Sequence, residues 1–501
     1  IRAIPALLLL LVQPASGCTS ILIGPDASAD GTAWVGQSDD GEGAGDSRLV
    51  YVPAMDWPSG SKRPVIDYED YPRYVGTERR VPAYYPSARL PNTTANVIGY
   101  IAQVNHTYGY YEADYAIANE HGVSFGESTC SAKTFALPVS QGGPSLLSMY
   151  ELTRLAAERE TTARGAVELM GAMASEHGFW GSPASDTGGE SVLVADGSDG
   201  WIFHVLAEGS SEGGAIWAAQ RVPRDHIAVV ANAFVIGDVT ADSSTFIHSA
   251  NMHAVARARG WWDGEGHLHF TRTFSAGEYT SRYYSGRRMW AVWRATAPSL
   301  KVPAEYPRYV DAIGASYPTS AKPDAPVARS SLFDAIYRTY YAGTPYDLSA
   351  GPQAGPYGTP VRYKPGAGEV SVAGGDCGVG ADKGPCSHWE RPIASFRSSS
   401  IHLTSVPANR TSAAAAAATL WFLPGAALSG AFTPVLVGSG AVPAALTDAH
   451  NSRLDRTKAY WAFRELAQFA YPRWALVKAA ISAAAQQLEG EGEAAARAWC
   501  G

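Results

Sequence analysis

Charge of either sign is scarce in this chain. Charged residues make up 17% of its 501 positions, Lys plus Arg (39) fall below Asp plus Glu (47), and no long basic run occurs. A nucleic-acid binder needs a basic face to meet phosphates, so that class is set aside. Several signatures are missing as well. The sequence holds no Gly-x-Gly-x-x-Gly, no phosphate loop and no His-Glu-x-x-His, so dinucleotide, nucleotide and zinc-protease chemistry lack their entry motifs. Long apolar runs are also lacking: the charge-free stretch from Thr411 to Thr447 is interrupted by Pro424, Gly425, Gly430 and Pro434. It reads as buried strands and loops, and no stable membrane span is expected. His267 and His269 form the one tight His pair; with no carboxylate at fitting spacing they read as a solvated strand.

What is present is a globular composition, 46% hydrophobic with 14 Trp, 26 Tyr and 14 Phe, too apolar and aromatic for a disordered chain. Arg2, the apolar run Leu7–Val12, and the small residues Ala15, Ser16 and Gly17 read as a secretory signal over residues 1–17. Cleavage after Gly17 makes Cys18 the first residue. That implies a secreted or lumenal destination, with which the glycosylation patterns at Asn92, Asn105 and Asn409 agree. Five Cys, at 18, 130, 377, 386 and 500, leave one thiol over after pairing. Cys18 is the natural candidate, and Cys377 and Cys386 flank a Gly-rich loop that suits a local disulfide. Ala15-Ser16-Gly17-Cys18 also has the look of a lipobox, in which the Cys18 amine would be acylated.

Local patterns then set out an α+β domain of antiparallel hairpins with inserted helices. Thr19–Ile23 and Thr32–Val35 are strand-like around an Asp30-Gly31 turn, and a second hairpin closes at Asn119-Glu120-His121-Gly122. Apolar positions between Ser145 and His177 recur at helical spacing with a break at Thr161-Thr162, predicting two helices. Further strands are expected at 191–196, 201–205 and 227–231, and a last helical stretch at 453–497 interrupted at Pro472. Residues 18–300 read as the core, 301–450 as its loop- and strand-rich remainder, and 451–501 as a C-terminal helical segment.

An N-terminal Cys is a chemical unit by itself. Its thiol and its α-amino group have ordinary pKa values of about 8.5 and 7.7–8.0, so one residue supplies nucleophile and base. The surroundings of Cys18 sharpen this. Cys18-Thr-Ser-Ile-Leu-Ile-Gly, Ala29-Asp30-Gly31-Thr32, Asp39-Asp40, Tyr115-Ala-Ile-Ala-Asn-Glu-His-Gly and Gly126-Glu127-Ser128-Thr129 resemble the dipeptidase A family of N-terminal nucleophile cysteine peptidases. Relatives of that family are the secernins and, more distantly, penicillin V acylase and bile salt hydrolase. The likeness continues through Trp201-Ile-Phe-His, Asn232, Arg287-Arg288-Met289-Trp290, Arg397-Ser398 and Tyr460-Trp-Ala-Phe-Arg, and covers about residues 18–470.

The resemblance implies a four-layer αββα sandwich and hydrolysis of dipeptides or short peptides through a thioester on Cys18. Asp40 matches the acid that holds the N-terminal Cys, Asn119 an oxyanion-hole position, Asn232 a second Asn at the Cys amine or carbonyl, and Arg288 an Arg beside the nucleophile. Glu120 or Glu127 is a candidate for the substrate's free amino group. No metal or organic cofactor is implied. One position departs: Gln37 stands where relatives often carry Arg or Lys, removing a cation that would lower the thiol pKa. Two alternatives share the pattern, an acylase for non-peptide amides and a secreted or lipidated binding protein that has lost catalysis.

Overall fold

The computed structural model describes residues 17–40, 47–66, 97–181, 188–211, 213–277, 282–304, 317–361, 390–408, 417–447 and 454–500. Residues 1–16, Asn92, Cys377, Cys386 and Asn409 lie outside them, as does the side chain of Cys500, so the expectations resting on these are not addressed by the fold.

Two antiparallel sheets form the body of the molecule. Their strands, in chain order, are β1 (Thr19–Ile23), β2 (Thr32–Asp39), β3 (Val50–Val52), β4 (Tyr110–Glu112), β5 (Ala116–Asn119), β6 (Ser124–Ser131), β7 (Gly188–Ala195), β8 (Gly200–Ala207), β9 (Ala215–Val222), β10 (Ile227–Val230), β11 (Phe246–His248), β12 (Ser400–Pro407), β13 (Thr419–Pro424) and β14 (Thr433–Leu436). The six-stranded sheet runs β10-β1-β2-β12-β13-β14 and the eight-stranded sheet β11-β9-β8-β7-β6-β5-β4-β3. The first hairpin is as the sequence predicts: Thr19 pairs with Ser38 and Ile23 with Trp34. Its turn is fixed by Asp30, whose Oδ1 accepts from the Thr32 amide at 3.0 Å, and by Gly31 at φ 71°, where a residue without Cβ bears no strain.

The principal helices are α1 (Met149–Arg159), α2 (Ala163–His177), α3 (Arg287–Thr296), α4 (Ala459–Ala470) and α5 (Trp474–Cys500). The break between α1 and α2 falls at Thr162, whose side chain accepts from the Gly165 amide at 2.8 Å as an N-cap. A 3₁₀ turn, Tyr471–Arg473, separates α4 from α5 at Pro472. No helix among the described residues is long and apolar enough to cross a membrane.

Strands β7 and β8 are buried along their whole length, and period two sorts their side chains between two cores. Val192, Val194, Phe203 and Val205 pack with Leu152, Leu155, Val167 and Met170 of the α1–α2 pair. Leu193, Ala195, Ile202 and Leu206 share the other core with Ile21, Leu22, Val35 and Val229 of the six-stranded sheet. The two sheets therefore face one another, with β1 and β2 against β6 and β7. They come close together at Gly126, where a Cβ would stand 2.9 Å from the Gly36 carbonyl oxygen. This allows hydrogen bonds between sheets, among them Ser20 Oγ to the Glu127 carbonyl. The polar residues of interest lie in this seam.

Candidate active site

Cys18 sits at the start of β1, 1% exposed. The protein grips its main chain. Arg288, on α3, donates from Nη1 to the Cys18 carbonyl at 2.6 Å and to Thr19 Oγ1 at 3.0 Å, and from Nη2 to Asn232 Oδ1 at 2.7 Å. Ser128 Oγ on β6 donates to the same Cys18 carbonyl at 3.2 Å and accepts from the Asn232 amide at 2.9 Å. Asn232 follows β10 at φ 53°, a left-handed conformation that Asn tolerates better than bulkier residues. Its Nδ2 donates to the Thr129 carbonyl at 2.7 Å. Arg288 is fully buried, and burial together with the nearby Arg391 pulls its pKa down, against Tyr284 and Asp40. The sequence-predicted Cys18, Asn232 and Arg288 thus belong to one hydrogen-bonded group.

Asp40 joins from the end of β2. Its carboxylate accepts from Arg391 Nη2 and from Ser398 Oγ. The same Nη2 donates to the Gly17 carbonyl at 2.6 Å, so Asp40 acts on the backbone before Cys18 through a buried guanidinium. Burial alone would weaken that cation; the Asp40 carboxylate outweighs it and leaves the Arg391 pKa raised.

The thiol faces a different environment. It points toward the Asp39 carboxylate, with Oδ1 at 4.0 Å. Burial pushes its pKa well up, and Glu127, Asp39 and Asp40 add to the effect, partly opposed by a hydrogen bond with the Asp40 backbone. Glu127 lies under this group and is tied to Gln37 twice: Gln37 Nε2 donates to Glu127 Oε2 at 3.1 Å, and the Glu127 amide donates to Gln37 Oε1 at 2.8 Å. The departure at position 37 is therefore a neutral clasp on an acid where an ion pair would otherwise form. Burial raises the Glu127 pKa, opposed by hydrogen bonds with Glu190, Thr129, Cys18 and Tyr115. Glu127→Gln removes one charge that disfavours thiolate, so the thiol pKa falls. Iodoacetamide alkylation of Cys18 at mildly alkaline pH is expected to quicken by up to about tenfold, the equivalent of one pKa unit. An unchanged rate would remove Glu127 from the charges acting on Cys18.

Asn119 is placed elsewhere. Its Nδ2 donates to the carbonyls of Ala157 and Glu160, at 3.0 and 2.8 Å, at the end of α1, and its Oδ1 accepts from the amides of His121 and Val123. Every polar atom of the side chain is spent on closing a turn and fastening it to a helix, so the expected oxyanion-hole position is here a turn anchor. Asn119→Ala should cost about 1–3 kcal/mol in urea unfolding while leaving the alkylation rate of Cys18 unchanged. Glu120 is likewise a turn residue, accepting from the Gly109 amide at 3.1 Å, so of the two glutamates Glu127 is the one that acts on Cys18. His269 accepts from the Arg272 amide at 3.4 Å as a helix cap. Among the described residues no cluster of His, Cys, Asp and Glu is placed to hold a metal ion.

Three contributors were not among the sequence candidates: Ser128, Arg391 and Ser398. Ser128 and Ser398 stand inside the stretches that carry the family likeness, and alternation along β6 would have put Ser128 on one face with Gly126. Arg391 had no local signal.

Comparison with known proteins agrees with the likeness first seen around Cys18. A family model described as Peptidase family C69 matches residues 17–487. Proteins named probable dipeptidase B from Streptococcus pyogenes, serotype M1 and serotype M3 (strain ATCC BAA-595 / MGAS315), are each 26% identical over 265 residues. That stretch is 52% of this chain and 46% of each relative, so the match spans about half the length of these curated relatives. With a match that runs from the residue before Cys18 to the middle of α5, the chain belongs to peptidase family C69.

Proposed function

We propose that the protein is a cysteine-type dipeptidase of the N-terminal nucleophile kind, acting on dipeptides or short peptides in a secreted or lumenal compartment. The observation that carries this reading is the grip on the backbone around residue 18: Arg288 and Ser128 on its carbonyl, Asn232 bonded to both of them, and the Asp40–Arg391 pair on the carbonyl of Gly17 just before it. Two facing sheets, with α1 and α2 over one of them and α3 against β10 of the other, support the four-layer αββα sandwich.

The electrostatics bear on mechanism. A thiol buried beside Glu127, Asp39 and Asp40 stays protonated, so attack needs a base at the moment of bond formation. Once residues 1–17 are removed, the Cys18 α-amine is that base. It takes the thiol proton as Sγ bonds to the scissile carbonyl carbon, then gives it to the departing amine as the C–N bond breaks. Water next attacks the thioester, releasing the acid and restoring the thiol. Arg288, Ser128 and Asn232 hold residue 18 in register through both steps, and Arg391, held by Asp40, fixes the approach to its nitrogen.

The test is N-terminal sequencing and intact-mass analysis of the exported protein after treatment with iodoacetamide, with dipeptide hydrolysis followed in parallel. A chain beginning at an unblocked Cys18, gaining one adduct there as hydrolysis disappears, is the expected result. An acylated Cys18 amine, or an internal residue 18 in active protein, would defeat the mechanism and favour the binding-protein alternative.

A further inference from the structure

A cavity of about 780 Å³ lies between α3, the helical segment Ser331–Tyr337 with the residues that follow it, and α5. Its walls are unlike the seam around Cys18. Trp290 and Arg294 come from α3, Tyr341 from the segment after residue 337, and Trp474 and Lys478 from one face of α5. The volume falls in the range of small-molecule sites, and the pattern of aromatic walls with a few polar groups is the usual one.

Its charge is unbalanced. Arg338 is met by Asp334 at 2.9 Å and by Glu489, so those charges are spent on one another. Arg294 and Lys478 have no carboxylate partner among the described residues; Arg294 instead stacks on Trp290, 5.5 Å from the ring centre. The Trp474 indole N–H is buried, without a hydrogen-bond partner among the described residues. Two uncommitted cations, an unused donor and aromatic faces suit an anion with a flat apolar body, for which a carboxylate on the Arg fork is the fitting head group.

The walls also lead to Cys18. Tyr341 donates from its hydroxyl to the Arg391 carbonyl, and Arg391 holds Asp40 and Gly17. Trp290 stacks on Arg287, 5.5 Å from the ring centre, and Arg287 pairs at 2.7 Å with Glu390, the residue before Arg391. Arg288, its neighbour on α3, contacts the Cys18 carbonyl. We propose that this cavity is a second site, for a small aromatic carboxylate, and that filling it changes the reactivity of Cys18 through α3 and Arg391.

The probe is hydrocinnamate, titrated calorimetrically into the Cys18→Ala protein, so that binding is read without the thiol. Binding is expected there, about tenfold weaker in the Arg294→Ala/Lys478→Ala double variant, and lost in Ala479→Trp, which fills the cavity without touching its charges. Both changes are at exposed positions. Equal affinity in the double variant, or equal affinity for the neutral hydrocinnamamide, would overturn the site. In protein with Cys18 intact, saturating hydrocinnamate should change the rate of iodoacetamide alkylation by about threefold or more, and the change should vanish in Ala479→Trp. Binding with an unaltered rate would overturn the coupling. Failure of the nucleophile reading would appear in the hydrolysis assay and leave the calorimetry untouched.

Discussion

Cys18→Ala should lower hydrolysis of short peptides by about 10⁴-fold or more, the order expected when a covalent nucleophile is removed, while the protein stays folded. Activity and stability separate here for a geometric reason. The structural contacts of residue 18 run through its carbonyl, to Arg288 and Ser128, and Ala keeps that carbonyl. What is lost is one buried sulfur that makes a long contact of 4.0 Å with Asp39, a change of about 1–2 kcal/mol. Cys130 is the internal control: it is buried and donates to the Ser128 carbonyl at 3.3 Å. Cys130→Ala should keep most of the activity. If Cys18→Ala retained a substantial fraction of the wild-type rate, the nucleophile would have to be another group.

Asp40→Leu is expected to do the reverse, striking stability as hard as chemistry. Asp40 and Arg391 are 2% and 3% exposed, and the carboxylate is the group that keeps the buried Arg391 charge favourable. Removing one member of such a pair leaves an uncompensated buried cation, at a cost of about 3–5 kcal/mol. The urea midpoint should fall accordingly and activity with it. Replacing both, Asp40→Leu with Arg391→Met, should recover much of the stability without recovering activity. Stability loss in the double variant equal to the sum of the singles would show that the two side chains act independently.

Some of this was open to reading before any fold was available. The first hairpin, the α1–α2 break at Thr162 and the Pro472 interruption all follow from period and punctuation. The order of motifs groups Cys18, Asp40, Asn232 and Arg288, and the fold brings the four into one neighbourhood. Asn119 shows where that route stops, because an Asn closing a turn before Gly122 looks the same whether its amide faces a substrate or, as here, the end of α1. Arg391 shows a different limit: it meets Asp40 across 351 residues and Gly17 across 374, so no window of sequence contains the pair. Helix α3 was hidden too. Its run Arg287-Arg288-Met289-Trp290 buries two guanidinium groups, and a helix with cations on its inner side does not display the apolar stripe by which helices are found.

The hold on residue 18 has one more implication. Because Arg288 and Ser128 clasp the carbonyl of that residue and ignore its side chain, the socket is indifferent to the chemical element that does the attacking. A lineage could trade sulfur for oxygen at this position and inherit the surrounding architecture whole, with only the acids beside the thiol left to be retuned.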